Sequence, residues 1–232
     1  MRYFLRDQRG SILPMFAVAV TLAIMVAAVA VDFSRYALAG EKLQTAGDSA
    51  AAAAAMSAKR YVKLQINPGK ELSICCGNDK CFPCCIGCGG SFEITGREDD
   101  LLEKGGYARY CCSCGCGGVK LLDRWVEYEN DGAGARAATE MFFNLNKPGE
   151  MDTQSGGDSF ISSIRVTDRS DPLYPSVVVN TRGKIKTVMM NFMDRLYPTN
   201  MSELEASRCS QGGAFYYNLD GKWSRAAAEG CN

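Results

Sequence analysis

The chain has 232 residues, and its 26 lysines and arginines equal its 26 aspartates and glutamates, so the formal net charge is zero. No block of basic residues occurs beyond the N-terminus, which argues against a nucleic-acid surface because such a surface needs a concentrated positive field. The chain has no histidine, and this removes the commonest general base and the commonest zinc ligand. The length allows one membrane segment and one compact domain or two small ones.

The run from Ile12 to Val31 carries no charge and only one hydroxyl, that of Thr21. At about 1.5 Å per residue, a helix over this run spans the roughly 30 Å hydrocarbon core of a bilayer. Asp32 follows the run, and three arginines precede it: Arg2, Arg6 and Arg9. The positive-inside bias predicts a cytoplasmic N-terminus with the remaining chain outside. A cleaved signal peptide is the alternative, although the run is longer than the usual signal core.

The helix is predicted to continue from Asp32 to about Val62, because this stretch has no proline and contains an alanine run at 50–55, the best helix former. Small and apolar residues recur at three- and four-residue steps, which predicts a packing stripe: Leu38, Leu43, Ala46, Ala50, Ala53 and Ala54. The sequence therefore predicts one helix of about 50 residues that is apolar in its first half and amphipathic in its second.

A motif pattern accompanies this helix. It has an Arg-Gly start, an apolar span ending in an aspartate, a Leu-Gln pair, and an aspartate followed by alanines: Arg9, Gly10, Phe16, Asp32, Leu43, Gln44, Asp48 and 50–55. The pattern resembles the N-terminal region of the TadE/TadG-like family of tight-adherence (Flp) pilus-assembly proteins. A fainter likeness continues in "ARAATEMFFNLN", "SIRVTD" and "SVVVNTRGKIKTVMMNFM".

The resemblance implies a pilin-like α+β fold, in which a long N-terminal membrane helix continues into an amphipathic helix packed on a small antiparallel sheet. It also implies a protein of a pilus or secretion apparatus, in the inner membrane or at the cell surface, without catalysis of its own. Pilins cleaved after a glycine usually carry a glutamate five residues further on. Met15 stands at that distance from Gly10, so we expect an uncleaved anchor.

Three regions follow from these patterns. Residues 1–64 hold the cytoplasmic stub, the transmembrane helix and its continuation; 65–118 form a Cys-rich loop insert; 119–232 form an exterior α+β pilin-like domain. The family resemblance does not account for the insert. Because the insert has few large apolar residues, we expect cross-links to hold it.

The insert contains ten cysteines, which permit two interpretations: Cys75, Cys76, Cys81, Cys84, Cys85, Cys88, Cys111, Cys112, Cys114 and Cys116. Outside the membrane they are expected to pair as disulfides, with the members of the adjacent pairs 75/76, 84/85 and 111/112 bonded to different partners. The alternative is a zinc or iron–sulfur site, since Cys-x-x-Cys spacing suits such sites, with ligands drawn from Cys81, Cys84, Cys85, Cys88, Cys111, Cys112, Cys114 and Cys116.

The last 114 residues contain several predicted elements. "LLDRWVEYE" reads as a strand or a short helix, and "ARAATEMFFNLN" as a helix that ends before Pro148. "FISSIRVT" and 176–181 are predicted strands, the second buried on both faces. Residues 184–196 have a helical stripe, and 201–208 could form a last strand. Cys209 and Cys231 bracket the hairpin-like "FYYNLDGKW" and are predicted to bond to each other. On the chain-entropy model, this bond would stabilise the tail by roughly 3 kcal/mol.

The leading functional hypothesis is a single-pass, pilin-like structural or assembly component of a tight-adherence pilus or related envelope apparatus. It is expected to act through helix packing and protein–protein contacts, without cofactors. Its expected partners are the membrane and other pilus-assembly or pilin-like proteins, including further copies of itself, and no nucleic acid. One alternative is a metal- or iron–sulfur-binding surface protein. Another is a thiol–disulfide oxidoreductase using Cys81 and Cys84, although this pair lies outside a βαβ unit.

Overall fold

The computed structural model of the chain describes residues 12–78, 80–187, 203–223 and 230–231. The described residues have an α+β structure with a long N-terminal helix and antiparallel sheets, as the sequence predicted. They divide into two compact units. Of the described residues, the first unit draws on those within 1–49, 142–163 and 179–210, and the second on those within 50–141, 164–178 and 211–232.

The helices and strands follow in chain order with these bounds: α1 Ile12–Met56, β1 Lys59–Asn67, β2 Lys70–Gly77, β3 Lys80–Gly87, β4 Phe92–Arg97, β5 Gly118–Glu127, α2 Ala133–Asn146, β6 Asp158–Val166, β7 Ser176–Lys186 and β8 Glu203–Gly213. The strands form two three-stranded sheets with the orders β4-β1-β5 and β6-β7-β8, and a two-stranded sheet of β2 and β3. The boundary expected at residue 64 falls inside β1.

Helix α1 has 45 residues and is about 68 Å long at 1.5 Å per residue. The predicted continuation to Val62 is too long, because the helix ends at Met56 and β1 begins at Lys59. The Ser57 hydroxyl donates to the Ala54 carbonyl at the helix end. From Lys59 the sequence alternates between partly exposed and buried residues, and this two-residue period favours a strand over a helix.

The buried packing stripe of α1 begins at Ala39, one residue after its predicted start at Leu38. Leu38 is 52% exposed, whereas the fully buried positions follow the helical period: Ala39, Leu43, Ala46, Ala50, Ala51 and Ala54. Neighbouring helix residues differ in direction by about 100°, so Leu38 points away from the stripe that begins at Ala39.

The Cys-rich region differs from the loop that its composition predicted. It contains the β2–β3 hairpin, strand β4 and a π-helical turn over Asp99–Glu103. It also contributes to an apolar cluster in which Val62, Leu64 and Ile66 of β1 pack with Leu101. Cross-links are therefore combined with a small hydrophobic core, which the scattered spacing of its apolar residues did not reveal.

Strand β7 is longer than predicted, and two predictions are therefore wrong. The strand does not end at Arg182 and Gly183 but continues to Lys186, so the predicted helix cannot begin at residue 184. Residues 181–186 alternate between buried and exposed positions, which is the period of a strand. The remainder of that predicted helix, 188–196, lies outside the described residues. The three valines at 177–179 are all buried, as predicted.

The other elements follow the sequence patterns closely. The segment "LLDRWVEYE" lies largely in strand β5, "ARAATEMFFNLN" lies in α2, and "FISSIRVT" lies largely in β6. The last strand, β8, begins at Glu203, within the predicted range 201–208, and ends at Gly213, five residues beyond it. The hairpin-like tail has a bridge between Tyr217 and Trp223.

Candidate functional site

The first part of α1 exposes apolar side chains along its length. Leu13, Phe16 and Val26 are 80%, 68% and 70% exposed. The Thr21 hydroxyl donates to the Ala17 carbonyl at 2.8 Å, so the one polar side chain of the run is satisfied within the helix. A helix that satisfies its own backbone groups and exposes apolar side chains is suited to a bilayer, and this helix is long and apolar enough to cross one.

The second part of α1 in the first unit packs against β7 and β8 through residues without bulky side chains. A methyl group at Gly40 would lie 3.0 Å from the Arg208 guanidinium, and one at Gly47 would lie 2.6 Å from the Ser210 hydroxyl. The Gln44 amide donates to the Cys209 carbonyl at 3.2 Å and to the Ser210 hydroxyl at 3.1 Å. Small residues thus let the helix approach the strands closely enough for side chain to backbone hydrogen bonds.

Polar contacts add to this packing. The Lys42 ammonium lies 2.5 Å from the Glu150 carboxylate, and its hydrogen bond lowers the pKa of that carboxyl. The Tyr36 hydroxyl donates to the Glu205 carbonyl at 2.9 Å. Because both groups of the ion pair are partly exposed, it orients the helix more than it stabilises the fold.

The second unit contains a cross-linked hairpin made by β2 and β3. Two bonds join the strands, two tie the hairpin to the following segment, and one lies within that segment: Cys75–Cys84, Cys76–Cys81, Cys85–Cys114, Cys88–Cys112 and Cys111–Cys116. In each of the three adjacent cysteine pairs, the two members bond to different partners, in agreement with the strain argument. An isolated two-stranded hairpin is marginally stable in water, so these bonds explain its order.

These bonds do not favour the metal alternative. Its eight candidate ligands, Cys81, Cys84, Cys85, Cys88, Cys111, Cys112, Cys114 and Cys116, all belong to disulfides, and a metal ligand must be a thiolate. Among the described residues, no group of three or more His, Cys, Asp or Glu is placed to hold a metal ion. The pairing of Cys209 with Cys231 stays a prediction.

One ion pair was not anticipated. Glu98 begins an acidic run that normally indicates a solvated surface, yet its side chain is only 9% exposed and lies 2.7 Å from the Arg124 guanidinium. Arg124 is on β5 and Glu98 follows β4. The strand pairing of β1 with both β4 and β5 explains how the two meet. An arginine within a predicted strand was the only signal for it.

Comparison with protein families identifies the N-terminal region. Residues 10–57 match the model of the Tad family, described as Flp pilus-assembly TadE/G-like. Neither curated proteins nor solved structures gave a significant match. That family consists of assembly proteins rather than enzymes, and the match includes all of α1. Residues 10–57 are therefore a TadE/G-like Flp pilus-assembly segment, as the sequence pattern indicated, and with the apolar helix they support a membrane-anchored pilus component.

Proposed function

We propose that this protein is a pilin-like structural or assembly subunit of a tight-adherence pilus or a related envelope apparatus. Its N-terminus lies in the cytoplasm, α1 crosses the inner membrane once, and the remaining chain lies outside. It acts through helix packing and contacts with other pilus-assembly proteins, without catalysis or a cofactor. The observation that carries this proposal is the helix α1, which is apolar and largely exposed at 13–31 and buries a small-residue stripe from Ala39 onward.

The disulfides support the exterior location. Thioredoxin and glutathione keep cytosolic thiols reduced, so a chain with several disulfides is expected beyond the cytoplasmic membrane. The arginines at positions 2, 6 and 9 lie outside the described residues, but their charge favours the same orientation. Gly10 also lies outside them, and retention of the full N-terminus is part of the proposal.

The test combines three measurements on the protein in its native host. Alkaline carbonate should leave the protein in the membrane pellet, and intact mass should show that the residues before α1 are retained. A membrane-impermeant protease should digest the exterior part in spheroplasts. Release by carbonate, or a mass showing cleavage beyond residue 31, would reject the permanent anchor.

The assembly role needs its own measurement. Deletion of the gene should abolish or strongly reduce surface pili, and a copy of the gene supplied in trans should restore them. Normal pili in the deletion strain, together with correct membrane insertion of the wild-type protein, would reject the assembly role while leaving the anchor intact.

A further inference from the structure

The cross-linked hairpin of β2 and β3 exposes large apolar side chains that have no role in membrane anchoring by α1. Leu72 and Ile74 on β2 are 60% and 73% exposed, and Phe82 and Ile86 on β3 are 56% and 48% exposed. The bonds Cys75–Cys84 and Cys76–Cys81 hold the two strands in register. The hairpin therefore presents its apolar side chains on a covalently braced support.

The edges of the hairpin are poor sites for strand addition. On β2, the Leu72 amide donates to the Ser113 hydroxyl and the Lys70 carbonyl accepts from the Cys114 amide. The backbone N–H and C=O groups of Lys70 and Leu72 therefore point away from β3. Ile74 is the next alternate residue on β2, so its backbone groups point the same way. Pro83 lies opposite Ile74, so its missing N–H falls on the outer edge of β3. A partner must pack on a face of the hairpin.

The two faces differ in charge. Alternation along the strands puts seven residues on one face, which we call the Phe82 face: Glu71, Ser73, Cys75, Lys80, Phe82, Cys84 and Ile86. Leu72, Ile74 and Pro83 are on the opposite face, whose one described charge is Lys70 at the start of β2. Only the Phe82 face has an acidic and a basic residue.

The two charges of the Phe82 face lie at opposite ends of the hairpin. Glu71 is opposite Ile86 at the base, and Lys80 is opposite Gly77 beside the turn. Six residues along β2 separate these two positions, or roughly 20 Å at 3.3 Å per residue. Both side chains are exposed, and neither forms an ion pair among the described residues. On the same face, Ile86 lies beside Glu71, and Phe82 lies between the two charges.

We propose that the Phe82 face binds the same face of a second copy of this chain, with the two hairpins antiparallel. A two-fold axis makes such an interface isologous: Glu71 of each copy meets Lys80 of the other, and the apolar side chains pack between the two ion pairs. The opposite face lacks this self-complementarity because Lys70 has no acidic counterpart at its other end. This inference rests on the proposed assembly role and names one of its partners.

The size of the face indicates where the contact forms. Two apolar and two exposed charged side chains per copy fall well below the roughly 800 Å² per partner of a stable soluble interface. Copies anchored in one membrane have a high effective concentration, and this raises the occupancy of weak contacts. The contact is therefore between neighbouring copies in one membrane or assembly rather than between free molecules.

Charge exchange tests this arrangement. Full-length protein, labelled with a donor or acceptor dye at a C-terminal tag, is reconstituted in neutral lipid vesicles, and energy transfer is measured against lipid dilution. Glu71→Lys and Lys80→Glu should each weaken association roughly three- to tenfold, because both cross-copy pairs become repulsive. A mixture of the two variants should restore it, since both contacts then join a lysine of one variant to a glutamate of the other. The double variant should restore it as well.

Two further variants make the result specific. Phe82→Glu should weaken association at least as much as the single charge changes, and Glu140→Lys on α2, an exposed charge change on another element, should leave it unchanged. Non-reduced mass with all cysteines oxidised verifies folding of each variant. Unchanged transfer in Glu71→Lys and Lys80→Glu, or no recovery in their mixture, would overturn the proposal. Equal loss in Glu140→Lys would do so too. The vesicle measurement is independent of pilus formation, so it can fail while the assembly role stands.

Discussion

The hydroxyl of Tyr128 is buried without a hydrogen-bond partner among the described residues, and the residue is 8% exposed. Burial, with a smaller effect of Tyr174, raises the pKa of Tyr128 to about 12. An unfolded tyrosine titrates near pH 10. The neutral form is therefore favoured in the folded protein, and its contribution to stability is complete below pH 10.

We expect that contribution to decline as pH rises from 10 to about 12. In this window the unfolded state loses the tyrosine proton while the folded state retains it, so the free energy of unfolding falls by up to about 1.4 kcal/mol per pH unit. Tyr128→Phe should remove this part of the pH dependence and change stability little at pH 7, since the hydroxyl has no partner. Urea unfolding at pH 8 to 11 measures it. Tyr217→Phe, at a position 47% exposed, is the control, and identical pH profiles for Tyr128→Phe and wild type would contradict the expectation.

Two glycines give opposite expectations for the same substitution. A methyl group at Gly212 on β8 would overlap the Ala51 backbone carbonyl, whereas one at Gly134 on α2 would meet no atom within 4 Å. Gly212→Ala should destabilise the protein by about 1–3 kcal/mol, because a backbone carbonyl cannot move aside cheaply. Gly134→Ala should be neutral or stabilise by up to about 1 kcal/mol through helix propensity. Thermal unfolding in detergent distinguishes them, and equal melting temperatures would refute the close packing.

At the scale of the element, the α1 stripe predicts unequal effects for two leucines five residues apart. Leu43 is fully buried and lies near Gly183 in the first unit, so Leu43→Ala should cost about 2–5 kcal/mol through lost burial and a cavity. Leu38 is 52% exposed, and Leu38→Ala should stay within about 0.5 kcal/mol. Denaturant midpoints provide the measurement. A similar loss at both positions would mean that Leu38 also packs against a partner.

The disulfides of the hairpin differ in the length of chain that they close. Cys85–Cys114 spans a sequence separation of 29 and Cys76–Cys81 one of 5. On the chain-entropy model, removing the first bond should cost about 3.6 kcal/mol in a variant that lacks the nested bond Cys88–Cys112, and removing the second about 2 kcal/mol. The double serine variants of each pair, unfolded in urea under oxidising conditions, test the order. A larger effect of the short loop would show that native-state contacts outweigh the entropy of the unfolded chain.

At the scale of the whole molecule, membrane insertion and cysteine oxidation should depend on each other. The disulfides form only where the compartment allows oxidation, and in the proposed topology the chain reaches such a compartment through α1. A change that blocks insertion should therefore leave the cysteines reduced and the second unit without its cross-links.

Val26→Arg tests this coupling, because an arginine within a span costs up to about 2.5–3.5 kcal/mol on insertion scales. We expect the variant to shift from the membrane to the soluble fraction and to react with a thiol reagent after denaturation. Val26→Leu is the matched control and should behave as wild type. Oxidised cysteines in a soluble Val26→Arg protein would show that oxidation does not require the anchor.

The sequence by itself determined the features that depend on residues close together in the chain. The charge-free run at 12–31, the alanine-rich continuation of α1 and the helix before Pro148 are local signals, since helix propensity and periodicity depend on near neighbours in the chain. The separation of adjacent cysteines onto different partners was also local, because neighbouring cysteines bond to each other only with strain.

Tertiary structure alone decided the features that depend on distant residues. Strand pairing extended β7 past Arg182, ordered the Cys-rich region as a hairpin, and brought Glu98 to Arg124. Composition predicted a loop there, because the apolar residues that pack with Leu101 are spread over β1, β4, β5 and the segment between β4 and β5 rather than set in a periodic run. Burial depends on which surfaces meet, and a sequence window does not contain that information.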